Sequence, residues 1–282
     1  MISKNVNSKK MLNNLLFYCS IGIFMVFIVF PFFWQFMTSI KPMDELYLMP
    51  PIWIPSKINL EFYYSVFFKR PFLIYLKNSA IVAGSSTLFA VFVASFAAYA
   101  LARLNFRGKN LILSMVLAVS MFPGIAIVSS LFIMLRQVGL LNSYLGLIIT
   151  YITITMPLSV WILTTFFKEI PTSLEEAAKV DGASPLKTFF LIIFPLAAPG
   201  LFTTAILVFI SSWNEFLYSL VFNTKDTMRT VPVGIAMFPG DYNYPWGDIA
   251  AASVVVTVPL ILLVLLFQKR IISGLTAGAV KG

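Results

Sequence analysis

Residues 11 to 40 carry no charged side chain, and thirty consecutive uncharged, mostly apolar residues restrict this chain more than any other feature of its sequence. A helix of that kind has no polar face to offer water, whereas about 20 apolar residues are what a helix needs to cross the hydrocarbon core of a bilayer. Five more charge-poor stretches of similar length follow. They predict spans at residues 14–37, 78–102, 111–135, 144–167, 198–222 and 249–268. Each is long and uniformly apolar instead of alternating every second residue, which selects helices over a barrel, since only these two architectures satisfy the backbone in lipid. The predicted fold class is all-α integral membrane, with six transmembrane helices.

The first stretch follows Lys4, Lys9 and Lys10 and superficially resembles a signal peptide. It is about twice as long as a secretory apolar core and has no small-residue cleavage pattern, so it reads as a retained anchor that is also the first span. Composition agrees: 59% of residues are hydrophobic and 11% charged, against about a quarter charged in soluble domains. The net charge of +9 raises the question of nucleic acid. Its basic residues are scattered between apolar runs, however, and phosphate recognition needs a concentrated basic face. Cys19 lies inside an apolar run and forms no intrachain disulfide framework.

The basic residues orient the chain. With the N-terminus inside, the inner segments hold Lys4, Lys9, Lys10, Arg103, Arg107, Lys109, Lys168, Lys179, Lys187, Lys269, Arg270 and Lys281, against eight basic residues outside. That excess predicts both termini on the cytoplasmic side. The expected organisation is a cytoplasmic segment 1–13, a first span 14–37, an extracytoplasmic loop 38–77, a core 78–270 with a cytoplasmic loop 168–190 between the fourth and fifth spans, and a cytoplasmic tail 271–282. The outer segments 38–77 and 223–248 are rich in proline and aromatic residues. Trp53, Tyr63, Tyr64, Tyr242, Tyr244 and Trp246 there suit either an interfacial belt or the cradle of a ligand or docking protein. Pro123 with Gly124 and Pro157 fall mid-span and predict kinks in the third and fourth helices.

One segment differs in kind. Between the fourth and fifth spans, residues 168–185 are charged and small. Ser173 and Glu176 have the spacing of a capping box, predicting a short helix from Leu174 with Glu175 and Glu176 at the positive end of its dipole. Gly182 is placed to end it in a left-handed turn, and Ser184 with Pro185 to start a second helix, broken later by Pro195 and Pro199. The residues alone allow an ordinary amphipathic interfacial loop, or a knob with Ala177, Ala178 and Ala183 that lets another protein approach closely.

The run Glu176, Ala177, Ala178, then Gly182, then Ile192, Phe194 and Pro195 resembles the signature of permeases from ATP-binding-cassette importers, with Phe194 where the signature has Leu. Ser212, Trp213, Asn214, Glu215 and Phe216, and the ending Gly274 to Gly282, resemble the maltose-type second permease of the carbohydrate subgroup. The resemblance covers roughly residues 75–282. It implies a type I importer permease fold in a bacterial cell membrane, in which Glu175, Glu176, Ala177, Ala178, Asp181, Gly182 and Ala183 form a coupling helix seated in a cleft of a separate ATPase. It further implies a second homologous permease, a dimer of ATPase subunits, an extracytoplasmic solute-binding protein and a sugar substrate.

The chain carries no Walker A pattern, because Leu186 stands where the string from Gly182 to Thr188 needs its second glycine. It has no His and no clustered acids of metal-ligand spacing, so no catalytic residue and no metal site is predicted, and ATP and Mg would be bound by the partner ATPase. Ser211, Asn214 or Glu215, Tyr218 and Ser219 are expected on one face of a continuous fifth helix. Together with Trp213 they are candidates for lining the sugar pathway, with hydrogen bonding between helices as the alternative. The rivals are a permease for another solute, such as an amino acid or peptide, and an integral membrane enzyme. The latter would want an acidic or His cluster at the membrane face.

Overall fold

The computed structural model describes the backbone of residues 2–238 and 244–276 and the side chains of residues 13–238 and 244–268. Lys4, Lys9, Lys10, Tyr242, Lys269, Arg270 and the ending 277–282 are thereby outside the described side chains. Helices account for most of the described residues: α1 Ile2–Ser39, α2 Phe72–Arg103, α3 Lys109–Ser120, α4 Gly124–Gln137, α5 Tyr144–Glu169, α6 Ser173–Val180, α7 Pro185–Leu196, α8 Ala198–Trp213, α9 Leu217–Phe222, α10 Val231–Ala236 and α11 Trp246–Thr276.

Two compact units are formed, Met1–Arg70 with Phe238–Val255, and Pro71–Met237 with Val256–Gly282. In the first, the most apolar 18-residue stretch of the α1 span (Asn13–Ser39) contains no buried residue. Such a helix is stable because its backbone bonds are internal and lipid accepts its side chains. Its end is tied down by aromatic contacts: Trp53 lies 5.8 Å from Trp34 and 5.7 Å from Phe30, ring centre to ring centre. The Tyr63 and Ser39 hydroxyls are 2.9 Å apart. Lys41 is buried with its ammonium 4.2 Å from the Trp34 ring centre. Burial pushes that ammonium below its ordinary pKa, and the Glu45 carboxylate pulls it back up. Later in the same unit Arg70 donates to Asp248 from Nε at 3.0 Å and Nη2 at 2.7 Å. Trp53 and Tyr64 are exposed, and Tyr244 packs on Trp246 at 4.7 Å.

The second unit is built on α2 and α5. One face of α2 reads Ser79, Ala83, Ser86, Ala90, Ala94 and Ala98, all buried at three- and four-residue spacing. Lipid tails are as apolar as leucine, so helices associate in a membrane by close packing, and a seam of small residues lets two backbones approach. α5 lies along this seam and α8 packs beside it. The polar side chains of α5 are silenced by their own helix: Thr150, Thr155, Ser159 and Thr164 each donate to the carbonyl four residues back, at 2.6–2.8 Å.

Helix directions settle the number of crossings. At one end Tyr144 Oη, from the first residue of α5, donates to Asn78 Oδ1 of α2 at 2.7 Å. At the other, Arg103 Nη2, from the last residue of α2, donates to the carbonyl of Ile170 just beyond α5 at 2.7 Å. α2 and α5 therefore run in the same direction, and the chain between them must return across the layer. The pair α3 and α4, bent by 92°, is that return and counts as one span. The same reasoning applies to α7 and α8, bent by 74°. α7 begins beside α6, yet Val231 N beyond α9 bonds Ser79 Oγ at 2.8 Å, at the opposite end of α2. With α1 and α11 the described residues give six spans, as the apolar stretches predict.

Two spans depart from expectation. The third is broken instead of kinked: Pro123 is extended (φ −64°, ψ 128°), and Met121 and Phe122 on the bend are exposed. Proline has no N–H to donate and pushes its predecessor out of the helical region, so two helices meet at a corner. The fifth span is not continuous over 198–222. It ends at Trp213 and restarts at Leu217. Pro157 does stay inside one unbroken α5.

Candidate functional site

Two places in the second unit hold the residues singled out by sequence. The first is α6 with its flanks. Gly182 adopts φ +76°, the left-handed turn expected of it. Ser184 caps the next helix by accepting from Lys187 N at 3.3 Å, with Pro185 in the first turn. The capping box does not form. α6 starts at Ser173 with Thr172 at its N-cap and no side-chain cap bond, since the Glu175 and Glu176 amides already bond to the Thr172 carbonyl. Glu176 is exposed, and it is Glu175 that is engaged: its carboxylate pairs with Arg103 Nε and accepts from Tyr99 Oη at 3.1 Å. Ala178 is buried and Ala183 half-buried, so only Ala177 of the supposed alanine knob is exposed, together with Glu176, Lys179, Val180, Asp181 and Gly182. What α6 presents outward is thus a short charged ridge.

Beneath it lies an aromatic layer. Tyr99 packs on Phe189 at 5.0 Å and Phe167 at 5.9 Å, within a cluster that includes Ala94, Ala98, Leu163 and Ile193. In the sequence Arg103 counts only as an orienting charge, and Tyr99 is not singled out. The available signal was a Tyr and an Arg four residues apart at the inner end of a span, with an acid facing them on the next charged loop.

The second place is where the third and fifth spans are interrupted. Residues 214–216 separate α8 from α9, and Glu215 caps α9: Oε1 accepts from Tyr218 N at 2.9 Å and Oε2 from Ser219 N at 3.1 Å. Tyr151 Oη of α5 donates to Oε2 at 2.7 Å. A carboxylate at the positive end of a helix, receiving donors there, needs no lysine partner to remain in the membrane layer. Tyr218 turns back to the other break, its hydroxyl 3.5 Å from the Gly124 carbonyl. A Cβ on Gly124 would sit 2.8 Å from that hydroxyl, so the corner admits only glycine without displacing Tyr218.

Because α8 ends at Trp213, the expected single face of Ser211, Asn214, Tyr218 and Ser219 does not exist. Ser211 and Asn214 are exposed, Glu215 is half-buried, and Trp213 and Tyr218 are buried, with Trp213 stacked on Phe209 at 5.5 Å. Asn214 Nδ2 donates to the Ile210 carbonyl at 3.0 Å. Ser212 Oγ is buried with no hydrogen-bond partner. Irregular backbone at membrane depth is tolerated only where protein covers it or water reaches it.

Residues 86–276 match the family model described as binding-protein-dependent transport system inner membrane component. The trehalose/maltose transport system permease protein MalG of Thermococcus litoralis is 48% identical over 257 residues, covering 90% of this chain and 92% of that protein. The sulfoquinovosyl glycerol transport system permease protein SmoH of Agrobacterium fabrum is 42% identical over 254 residues, covering 90% and 89%. Among solved structures, a chain of a bacterial ABC transporter involved in the import of the acidic polysaccharide alginate superposes with a TM-score of 0.79 at 22% identity, covering 92% of this chain and 96% of that one.

Proposed function

The chain belongs to the family of binding-protein-dependent transport system inner membrane components, and from that membership we propose that it forms half of the membrane pathway of an ATP-driven sugar importer, with α6 as the helix on which the ATPase acts. It is a multi-pass membrane protein and a transporter subunit, not an enzyme. Carbohydrate is the substrate class because its relatives at 42–48% identity are permeases of trehalose, maltose and sulfoquinovosyl glycerol systems. Those sugars differ in size and charge while the scaffold is shared, so the family fold does not by itself select one of them.

The observation that carries the coupling reading is the make-up of α6: eight residues between two spans, held on one side by Glu175 and displaying charge and small residues on the other. A second permease completes the pathway, and an extracytoplasmic binding protein delivers the sugar. A pair of ATPase subunits binds ATP and Mg and grips the ridge of Glu176, Ala177, Asp181 and Gly182 from the cytosol. With α6 on that side, both chain termini lie in the cytosol as well. The exposed side chains of Ser211 and Asn214, beside the two breaks, line the route of the sugar, and Glu215 holds the break in shape.

The test is reconstitution of the complete complex in proteoliposomes with radiolabelled trehalose and maltose. Accumulation that requires ATP on the ATPase side, the binding protein on the other and an intact α6 is expected. Solute movement by this chain without a nucleotide-hydrolysing partner, or α6 reacting with an impermeant label from the side of the binding protein, refutes the reading.

A further inference from the structure

A helix of eight residues can transmit motion only if it is attached to something that moves with it. α6 has a weak joint on each side: Ile170 is extended (φ −72°, ψ 126°) ahead of Pro171, and Gly182 makes the left-handed turn. Left to these joints, a displaced α6 would pivot and the spans would stay where they are. Among the described residues, one side chain of α6 is hydrogen-bonded to another element, and it is Glu175, whose partners come from α2, some seventy residues earlier in the chain.

Arg103 is built for that role. Its side chain is 9% exposed and that of Glu175 20%. A guanidinium is a rigid fork of donors, and here the prongs go to different elements: Nε to the Glu175 carboxylate of α6, and Nη2 to the Ile170 carbonyl at the end of α5, at 2.7 Å. Tyr99, one turn earlier on the same face of α2, brings a second donor to Glu175 and rests its ring on Phe167 and Phe189. Lysine, a single point charge, cannot hold both acceptors in fixed geometry.

Resting on the reading that α6 receives the ATPase's movement, we propose that Arg103 is a positioning residue that fastens α6 to the paired ends of α2 and α5, so that displacement of α6 is delivered to both spans as one body. Without the clamp the ATPase still closes against the ridge, and the movement is lost in the joints at Ile170 and Gly182. The signature is uncoupling: fewer sugar molecules moved per ATP hydrolysed. A purely structural loss would lower transport and hydrolysis in proportion and leave that ratio unchanged.

The experiment measures trehalose and maltose uptake and ATP hydrolysis together in proteoliposomes of the complete complex. The ratio is expected to fall about tenfold in Arg103→Gln, the size of an ordinary coupling between sites, and by about threefold in Arg103→Lys, which keeps a charge for Glu175 but not the fork that also holds Ile170. An unchanged ratio in Arg103→Gln, or a wild-type ratio in Arg103→Lys, overturns the proposal. If Arg103→Gln does not co-purify with the ATPase, Arg103→Lys decides alone, a lowered ratio supporting the clamp and a wild-type ratio overturning it. Gly182→Pro, assayed alongside, separates the two ideas. Uptake surviving in that variant removes α6 as the lever altogether, whereas its loss beside a wild-type ratio in Arg103→Gln removes only the clamp.

Discussion

Removing the Tyr151 hydroxyl and the Glu215 charge, singly and together, tests whether the break in the fifth span is held by the bond between them. Tyr151 is fully buried, and its hydroxyl lies 2.7 Å from Glu215 Oε2. A hydrogen bond to a charged group contributes about 1.5–3 kcal/mol in soluble proteins, but pairs between membrane helices average about 0.6 and reach about 1.7 kcal/mol, because the unfolded chain in the membrane also finds partners. A carboxyl acceptor that also takes two backbone amides puts this pair toward the top of the membrane range, so the interaction energy from the cycle of Tyr151→Phe, Glu215→Gln and the double variant should be about 1–1.7 kcal/mol. Gln keeps an oxygen for an amide of α9, which makes it the conservative replacement. Glu215→Ala removes the acceptor of Tyr151 Oη, Tyr218 N and Ser219 N at once, and at about 1–3 kcal/mol for each unsatisfied buried group it should cost at least about 3 kcal/mol. The assay is reversible unfolding of the purified subunit in mixed micelles with increasing SDS, followed by tryptophan fluorescence. An interaction energy below about 0.3 kcal/mol, with Glu215→Ala no worse than Glu215→Gln, refutes the claim that this carboxylate holds α9 in place.

Three further outcomes are expected. Gly234→Ala places a methyl group inside the van der Waals envelope of the buried Tyr75 ring; it should destabilise the protein by about 1–3 kcal/mol, and a melting temperature equal to wild type would contradict that packing. Ser143→Ala removes the oxygen that accepts from Gly146 N at 3.1 Å at the start of α5, a loss of about 1 kcal/mol in the same unfolding assay, whereas Ser143→Asp should recover most of it. Because burial lowers the Lys41 pKa below 10.5, the unfolded chain keeps that proton to higher pH than the folded one. Stability should therefore rise with pH between the lowered value and 10.5, and a Lys41→Met variant whose pH profile matches wild type across that window would show that Lys41 is not the source.

The six spans, the left-handed turn at Gly182 and the Ser184 cap are legible in the sequence because each rests on a local cause: charge-free length, a residue free to take positive φ, a hydroxyl one residue before Pro185. The failures share a different cause. The spacing of Ser173 and Glu176 suggests a capping box, but the Glu175 and Glu176 amides bond to the Thr172 carbonyl and the Glu175 side chain goes to Arg103 and Tyr99, which no local pattern reveals. A single acid in an apolar run resembles a tolerated intruder, so the sequence alone carries the fifth span through Glu215. What makes it a helix start is the Tyr151 hydroxyl arriving from α5 and the first-turn amides of Tyr218 and Ser219, which its carboxylate accepts. Pro123 and Gly124 signal a disturbance, but neither its size, 92°, nor the Tyr218 hydroxyl that meets Gly124 there is written in a local pattern.

These differences divide the second unit into parts with opposite mechanical character. α2 and α5 are long, unbroken and packed along a seam of alanine and serine, with their ends joined by Tyr144 to Asn78 on one side and Arg103 to Ile170 on the other. Close-packed helices joined at both ends do not slide independently. The third span is two helices meeting at a corner, the fifth is bent between α7 and α8 and interrupted again at 214–216, and this second interruption meets the third span's corner through Tyr218 and Gly124. A bend already present is where a span can change angle without giving up the hydrogen bonds of a continuous helix. α6 is hydrogen-bonded to the stiff pair and packs on α7 at the start of the fifth span, so under the proposed coupling movement imposed on it reaches both the frame and the first half of a bent span. On the proposed function, a pathway beside 121–124 and 214–216 opens or closes through changes of angle there while α2 and α5 keep their contact. Disulfide cross-links between α2 and α5 should leave uptake intact, and a bifunctional thiol reagent bridging cysteines placed at 124 and 218, where Gly124 meets Tyr218, should arrest it.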